Sequence, residues 1–250
     1  MKIIACIKRV PTTDVQPRVA GDGKSLDPAG MQFMTSFYDE IAVEEALRQK
    51  EKHGGEVTVL TIGPADASKE VREALAKGAD KGVILVDGAW GSRDPLATAK
   101  ALAEKIRALG ADLVLLGRVG TDRDNAAVGP MLATLLGWAC VTDIVGLEIN
   151  GTQGSARREA DAGLETFAFA LPAVLTCQKD LNEPRYAALK GIMAAKKKPL
   201  EESPCPASTS QVEVVKLALP PARKAGRIVG EGAAAVPALI DALRSEAKVL

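Results

Sequence analysis

The stretch from Ala111 to Gly137, ADLVLLGRVGTDRDNAAVGPMLATLLG, limits the possible fold more than any other part of the chain. Its first six residues are almost wholly apolar, as a strand buried on both sheet faces requires. Gly117 and Gly120 then mark a turn, and Asp122 to Asn125 offer side chains able to cap a helix. From Ala126 onward Val128, Met131, Leu132, Leu135 and Leu136 recur at helical spacing. A strand, a glycine-bearing turn and a helix N-terminus form an anion site, because unpaired amides and the helix dipole converge there. An ordinary βα junction has the same outline, so the pattern alone names no ligand.

The preceding residues repeat this alternation. Lys2 to Ile7 reads as a buried strand, left through Lys8-Arg9-Val10-Pro11 into a long segment rich in Gly, Pro, Asp and Thr that ends at Ser36. Tyr38 to Lys52 predicts a helix stopped by Gly54-Gly55, and Val57 to Ile62 a second strand ending at Gly63-Pro64. Ser68 to Lys77 is a helix and Gly82 to Val86 a third strand; Asp94-Pro95 caps and opens a helix to Leu109. Such alternation predicts an α/β fold with a mostly parallel, doubly wound, Rossmann-like sheet. Ligands of open sheets sit outside the carboxyl ends of the strands, which gathers Cys6, Lys8, Gly63 and the residues from Gly117 to Gly129 around one crevice.

After Trp138 the grammar changes. Val141 to Ile149, Ala156 to Glu159, Leu164 to Ala170 and Ala173 to Gln178 read as strands joined by Asn150-Gly151 and Asp161-Ala162-Gly163 turns, and predict an antiparallel extension of the sheet. A short helix is expected around Tyr186 to Lys198, a linker over Glu201 to Ser210, a last strand over Val212 to Leu217 and a terminal amphipathic helix over Ala233 to Lys248. A tail of this kind has little core of its own and is expected to dock on a partner. The division is therefore a domain over residues 1–200 followed by a linker and C-terminal arm over 201–250.

Composition removes several function classes. Lys plus Arg balance Asp plus Glu, 32 against 32, so bulk charge draws the chain to neither nucleic acid nor anionic membrane. Aromatic residues make up 3% of the chain, too few for a base-stacking platform. No apolar run approaches the roughly 20 residues that span a bilayer, and the opening KIIACI is strand-like and unlike a signal peptide. Cys6, Cys140, Cys177 and Cys205 are scattered without a CxxC pair, as reduced cytoplasmic thiols are, and His53 sits at a helix end without a Cys or His neighbour. Neither Gly-x-Ser-x-Gly nor a Walker motif occurs. Asp122 and Asp124 have the chemistry of metal ligands or acid–base groups, yet capping and solvation account for them more simply. No catalytic residue and no metal ligand is expected. Gly117-x-x-Gly120 followed by Gly129 resembles the phosphate loop of universal-stress-type ATP-binding domains, one residue short and with Pro130 in place of a hydroxyl residue. A free-standing nucleotide-binding regulator is one reading of that loop.

Separated segments, in order, resemble the β subunit of electron transfer flavoprotein. They are Lys8-Arg9-Val10-Pro11, the helix Phe37-Tyr38-Asp39-Glu40-Ile41-Ala42-Val43-Glu44-Glu45-Ala46, Gly63-Pro64, and Ala76-Lys77-Gly78-Ala79-Asp80-Lys81. Most specific is Arg158 to Thr176, with Asp161-Ala162-Gly163-Leu164-Glu165 and Leu171-Pro172-Ala173-Val174-Leu175-Thr176, followed by Leu181-Asn182-Glu183-Pro184-Arg185-Tyr186. The resemblance implies a heterodimer whose α subunit carries FAD, while β binds a buried adenine nucleotide, normally AMP. Electrons pass from flavin dehydrogenases of the acyl-CoA type to a quinone oxidoreductase or another acceptor.

By the same resemblance, Cys6, Thr35, Ser36, Phe37, Tyr38 and Ile62 line the nucleotide, and Phe37 lies near the α-subunit flavin. Gly117, Val119, Gly120, Thr121, Asp122, Arg123, Asp124, Asn125, Ala126, Ala127, Val128 and Gly129 form its phosphate-side loop. A partner-recognition loop spans about 179–198, with Leu189 as the apolar anchor, Tyr186 beside it and Lys196 to Lys198 at its basic end. AMP-binding members usually read Asp-Asp-Asp-x-x-Gln-Thr-Gly, and bifurcating members with a second FAD read Asp-Gly-Asp-Thr-x-Gln-Val-Gly-Pro. This chain has Asp122-Arg123-Asp124-Asn125-Ala126-Ala127-Val128-Gly129-Pro130, which matches neither fully, and Thr35 stands where asparagine is usual. AMP and a second FAD both stay open, with AMP the leaning.

Overall fold

The chain threads strand and helix in turn, so each apolar strand run is covered by the helix that follows it. The computed structural model describes residues 1–207, 209–223 and 225–250. Its strands are β1 (Lys2–Cys6), β2 (Arg9–Pro11), β3 (Phe33–Thr35), β4 (Glu56–Gly63), β5 (Lys81–Val86), β6 (Leu113–Gly117), β7 (Ala139–Asn150), β8 (Gln153–Ala160), β9 (Gly163–Ala170), β10 (Ala173–Cys177) and β11 (Leu200–Pro204). The α-helices are α1 (Phe37–His53), α2 (Ser68–Lys77), α3 (Pro95–Leu109), α4 (Val128–Leu136), α5 (Leu189–Ala195) and α6 (Val236–Ala242). Among the described residues nine strands form one sheet in the order β11-β5-β4-β1-β6-β10-β7-β8-β9, and β2 and β3 form a separate antiparallel ribbon.

Alternation along the strands assigns the two faces. Ile3 and Ala5 of β1 with Leu113 and Leu115 of β6 pack under α1 and α2, among Ile41, Val43, Leu47, Val71 and Leu75. Ile4 and Cys6 with Val114 and Leu116 face the other way, toward Leu102 and Ile106 of α3 and Leu132 of α4. The sheet is therefore doubly wound, as the alternation predicts. The helices stop where expected: Gly54 follows α1 at φ 70° and Gly110 follows α3 at φ 70°. Asp94 caps α3 through the Ala97 amide, 2.7 Å away, with Pro95 in the first turn.

Topology places the ligand edge. From β1 the chain winds outward through β4 to β5, then returns so that β6 pairs on the opposite side of β1. The strand order reverses between β1 and β6, and the crevice of an open α/β sheet opens at such a reversal.

Five expectations need correction. Ala173–Cys177 is not part of the antiparallel extension; β10 lies between β6 and β7 and is parallel to both, leaving β7, β8 and β9 as the antiparallel wing. A fully buried, mostly apolar run carries no sign of direction. The expected linker starts with β11, which adds a parallel edge beside β5; its Ser208 lies outside the described residues. Val212 to Leu217 is not a strand: among the described residues it pairs with no ladder, and its last residue donates its amide to the Gly23 carbonyl, 2.8 Å away. The terminal helix runs without a gap over 233–247, close to the expected span, but is not α throughout. A 3-10 turn (Ala233–Ala235) leads into α6, with Pro237 in its first turn, and a π turn (Leu243–Ala247) ends it. The segment before Ser36 is not all loop, since it carries β2 and β3.

Leu115 is fully buried on β6, the strand between β1 and β10. Leu115→Ala should cost about 2 to 5 kcal/mol, read as a lower urea midpoint with the same far-UV spectrum.

Candidate functional site

The crevice at the reversal is built by the first turn of α1. Asp39 is 5% exposed. One carboxylate oxygen, Oδ2, accepts the Lys8 amide at 2.8 Å just beyond β1, and Oδ1 accepts the Gly117 amide at 2.7 Å at the end of β6. A single side chain thus ties together the two strand exits that flank the crevice. Ser36, fully buried and one residue before α1, does the same more loosely. Its amide donates to the Lys8 carbonyl at 2.9 Å, while its hydroxyl donates to the Val119 carbonyl at 3.4 Å and accepts the Thr121 amide at 3.3 Å. The Lys8 ammonium turns to Asp122 instead of Asp39, with both oxygens within 2.7 Å.

Electrostatics follow from this packing. Burial pushes the Asp39 carboxyl up to about 7, against the pull of the Gly117 and Lys8 amides and the Lys8 ammonium, with Asp122 adding to the rise. Burial likewise raises the Cys6 and Cys177 thiols, and the Asp39 charge adds to both, so neither is a ready nucleophile. Two glycines are dictated by close approach. A Cβ on Gly117 would lie 2.6 Å from Asp39 Oδ1, and one on Gly129 would lie 2.4 Å from Thr176 Cγ2.

Between those glycines the loop differs from the expected cap. Asp124 and Ala126 take the left-handed conformation at φ 48° and 51°, and α4 starts only at Val128, after Ala127. Among the described residues no side chain caps α4, so Asp124 does not serve the capping role expected of it, and Asp122, expected to be a solvated charge, is paired with Lys8. The amides of the first turn are left free for an outside acceptor. Arg123 reaches the Gly91 carbonyl in the turn after β5, so its guanidinium lies across the crevice mouth. The arrangement fits a small phosphate-bearing ligand: amides at a helix N-terminus, Lys8 at the loop and two flanking carboxylates that discourage excess negative charge.

The structure brings Cys6, Thr35, Ser36, Tyr38 and Ile62 to the same carboxyl edge as residues 117–129; Thr35 and Ser36 are buried, whereas Phe37 is half exposed and stacks edge-on against Tyr38. Asp39 was not singled out from the sequence, and neither was the Arg118–Asp143 ion pair at 3.3 Å. Asp39 sits in the first turn of a helix, where an acid reads as a partner of the dipole. Asp143 gave no signal, since its φ of 57° appears only with the irregularity in β7.

A second surface hangs on the outer face of α1. Asn182 donates its amide to the Ile41 carbonyl and Glu45, both at 3.1 Å. Arg185 engages both Glu44 oxygens at 2.8 and 3.0 Å and also reaches Glu51. Burial works against the Glu44 charge, yet the Arg185 and Arg48 bonds hold its carboxyl below the usual range. Beyond this grip Tyr186 is 98% and Leu189 75% exposed, with Met193 also bare. The helix here is shorter than expected, Leu189–Ala195, and packs on α2 through Arg72, whose guanidinium binds the Ala195 and Lys198 carbonyls. Lys196 and Lys197 are exposed. Lys198 differs from them: its ammonium turns inward to the Leu75 and Ala79 carbonyls at 2.9 and 2.6 Å.

A sequence model of the electron transfer flavoprotein domain matches residues 34–208, from the end of β3 past β11. The chain is 42% identical to the electron transfer flavoprotein subunit beta of Bradyrhizobium diazoefficiens and 37% identical to that of Bacillus subtilis, each comparison covering all of both chains. It is 39% identical to the mitochondrial subunit beta of Oryza sativa subsp. indica, again over the full length of both. The chain is a member of the electron transfer flavoprotein β-subunit family. As a β subunit it is one part of a flavoprotein that carries electrons. Among the described residues no helix is long and apolar enough to cross a membrane.

The Asp39 environment sets a pH dependence. Its folded value of about 7 lies above the ordinary carboxylate range, so the folded chain holds a proton that the unfolded chain has released. The resulting stabilisation is complete below about pH 4 and is lost as pH rises through about 7. Relative to Asp39→Asn, the wild type should lose stability between about pH 5 and pH 8, measured as urea midpoints across that range.

Proposed function

We propose that this β subunit clasps AMP between the loops after β1 and β6, pairs with an FAD-bearing α subunit, and presents Leu189 to flavin dehydrogenases. The uncapped N-terminus of α4 at the strand-order reversal, with Asp39 and Ser36 bracing the loop before it, carries this reading. Val128 and Gly129 would meet the phosphate with backbone amides, and Cys6, Thr35, Tyr38 and Ile62 would line the rest of the nucleotide. The Arg123 contact to Gly91 favours a mononucleotide over a second FAD, although Val128-Gly129-Pro130 is the triplet of bifurcating members.

The division of labour follows. Residues 1–200 form the base, and 201–250, apart from the edge strand β11, form the arm. The arm leaves Val215, Ile228, Leu239 and Leu250 exposed, an apolar series suited to an α subunit. Bound FAD supplies the electron-accepting chemistry. This chain's residues seat the nucleotide, shape the contact with α and offer Tyr186, Leu189, Lys196 and Lys197 as the landing surface. Electrons then leave for a quinone oxidoreductase or a similar acceptor. Four free thiols suit the reducing cytoplasm.

Cofactor counting tests the nucleotide. The complex purified after co-expression with its α subunit should release equimolar FAD and AMP; two FAD per heterodimer would make it a bifurcating subunit, and no flavin would sink the carrier reading. Leu189→Ala tests the docking surface. It should slow electron uptake from a dehydrogenase about tenfold or more at unchanged flavin content, as loss of an apolar anchor does. Unchanged transfer kinetics would take Leu189 out of the interface.

A further inference from the structure

Asp39 is a buried acid that, among the described residues, makes no ion pair. The groups facing it come from every neighbouring element: the Lys8 ammonium and Asp122 from the two loops, Cys6 from β1 and Cys177 from β10. Its nearest cation is drawn off, because Lys8 Nζ lies 2.6 Å from Asp122. What holds Asp39 is the main chain of both strand exits, at 2.8 and 2.7 Å. Gly117 leaves no space for slack, since even a methyl group there would collide with the carboxylate and with Tyr38. Ser36 spans the same gap with bonds of 3.3 to 3.4 Å, which are weaker.

We infer that Asp39 is the positioning residue of the nucleotide clasp: its carboxylate sets the gap between the β1 and β6 exits, and so controls how tightly the nucleotide is kept. The inference rests on the nucleotide reading of the crevice. Asp39 touches no ligand in this scheme and acts through Lys8 and Gly117. The ionised carboxylate accepts both amides strongly; a proton on one oxygen leaves one amide facing a hydroxyl, a weaker acceptor. The gap is then free to widen. The carboxyl stays buried in the widened gap and loses only the two amides that favour its charge. A proton therefore favours widening there, even though it favours the folded chain over the solvated, unfolded one. The clasp loosens as the surroundings turn mildly acidic.

The test uses the co-expressed heterodimer. AMP release into nucleotide-free buffer is followed from about pH 6 to about pH 8 for wild type and Asp39→Asn. Wild-type release should quicken as pH falls through about 7. Asp39→Asn should release about tenfold faster than wild type at pH 8, the worth of one charge-assisted hydrogen bond, with the pH step gone. Any slope left in the variant belongs to the phosphate. Wild-type release rates and an unaltered pH profile in Asp39→Asn would overturn the inference.

Hydrogen exchange on the wild type gives a second reading that needs no variant. The Lys8 and Gly117 amides should exchange as slowly as the β1 and β6 interior, and loop-like exchange at both would also overturn it. A wild-type complex that carries no adenine nucleotide removes the ligand reading of the crevice; slow exchange at the two amides would then still support the clamp, and fast exchange would end it.

Discussion

A carboxylate taken out of water must find donors, and the donors it finds decide what it organises. Asp39 finds the amides of Lys8 and Gly117, which belong to adjacent parallel strands far apart in sequence. Hydrogen bonds across the sheet hold β1 to β6, but they end where the strands end. The buried carboxylate continues the pairing one step past the sheet, into the loops where a ligand sits. Its cost in desolvation is large, which is why its proton is held to about neutrality. Such a cost is tolerated where the geometry it enforces is needed.

The helix bearing Asp39 serves two regions at once. Ser36 and Asp39 at its start grip the crevice loops, while Glu44, Glu45 and Glu51 further along grip residues 182–185. Glu44 and Glu45 are buried acids, and each is matched by a fixed hydrogen-bonding partner, Arg185 or Asn182. Bidentate contacts from Arg185 hold a segment that has almost no core of its own. The exposed side chains Tyr186 and Leu189 are consequently displayed from a fixed base, although they themselves touch little. A surface of this kind loses less entropy on meeting a partner.

The parallel half of the sheet was readable because its signals are local. Apolar runs, the Asp94-Pro95 cap and the glycines after α1 and α3 each act within a few residues. What escaped the reading depended on distant neighbours. The run at 173–177 is equally apolar in either strand direction, and only its partners β6 and β7 make it parallel. β11 is polar because it is an exposed edge, so it resembled a linker; Val212 to Leu217 is rich in β-branched residues yet, among the described residues, joins no strand. In the crevice, the loop itself was found from its glycines. The capping role given to Asp124 failed because the left-handed conformations at Asp124 and Ala126 delay the start of α4 to Val128. Asp39 was hidden for a related reason. An acid in a first helical turn looks unremarkable until the sheet beneath it is known.

The place of β10 bears on how the molecule is assembled. The chain completes β6, runs out to build the β7–β8–β9 wing, and only then returns to fill the space between β6 and β7. The wing is therefore joined to the body by a strand made after it. Until residues 173–177 arrive, β6 lacks its outer neighbour and both exposed edges are open to wrong pairing. A strand that closes a sheet from within is held by contacts that are long-range in sequence, and such contacts carry a loop-closure cost. Ala173, Val174, Leu175 and Cys177, none more than 0% exposed, form the keystone of that closure. The same strand ends beside Gly117 and under Gly129, so the sheet is sealed at the very edge where the crevice opens.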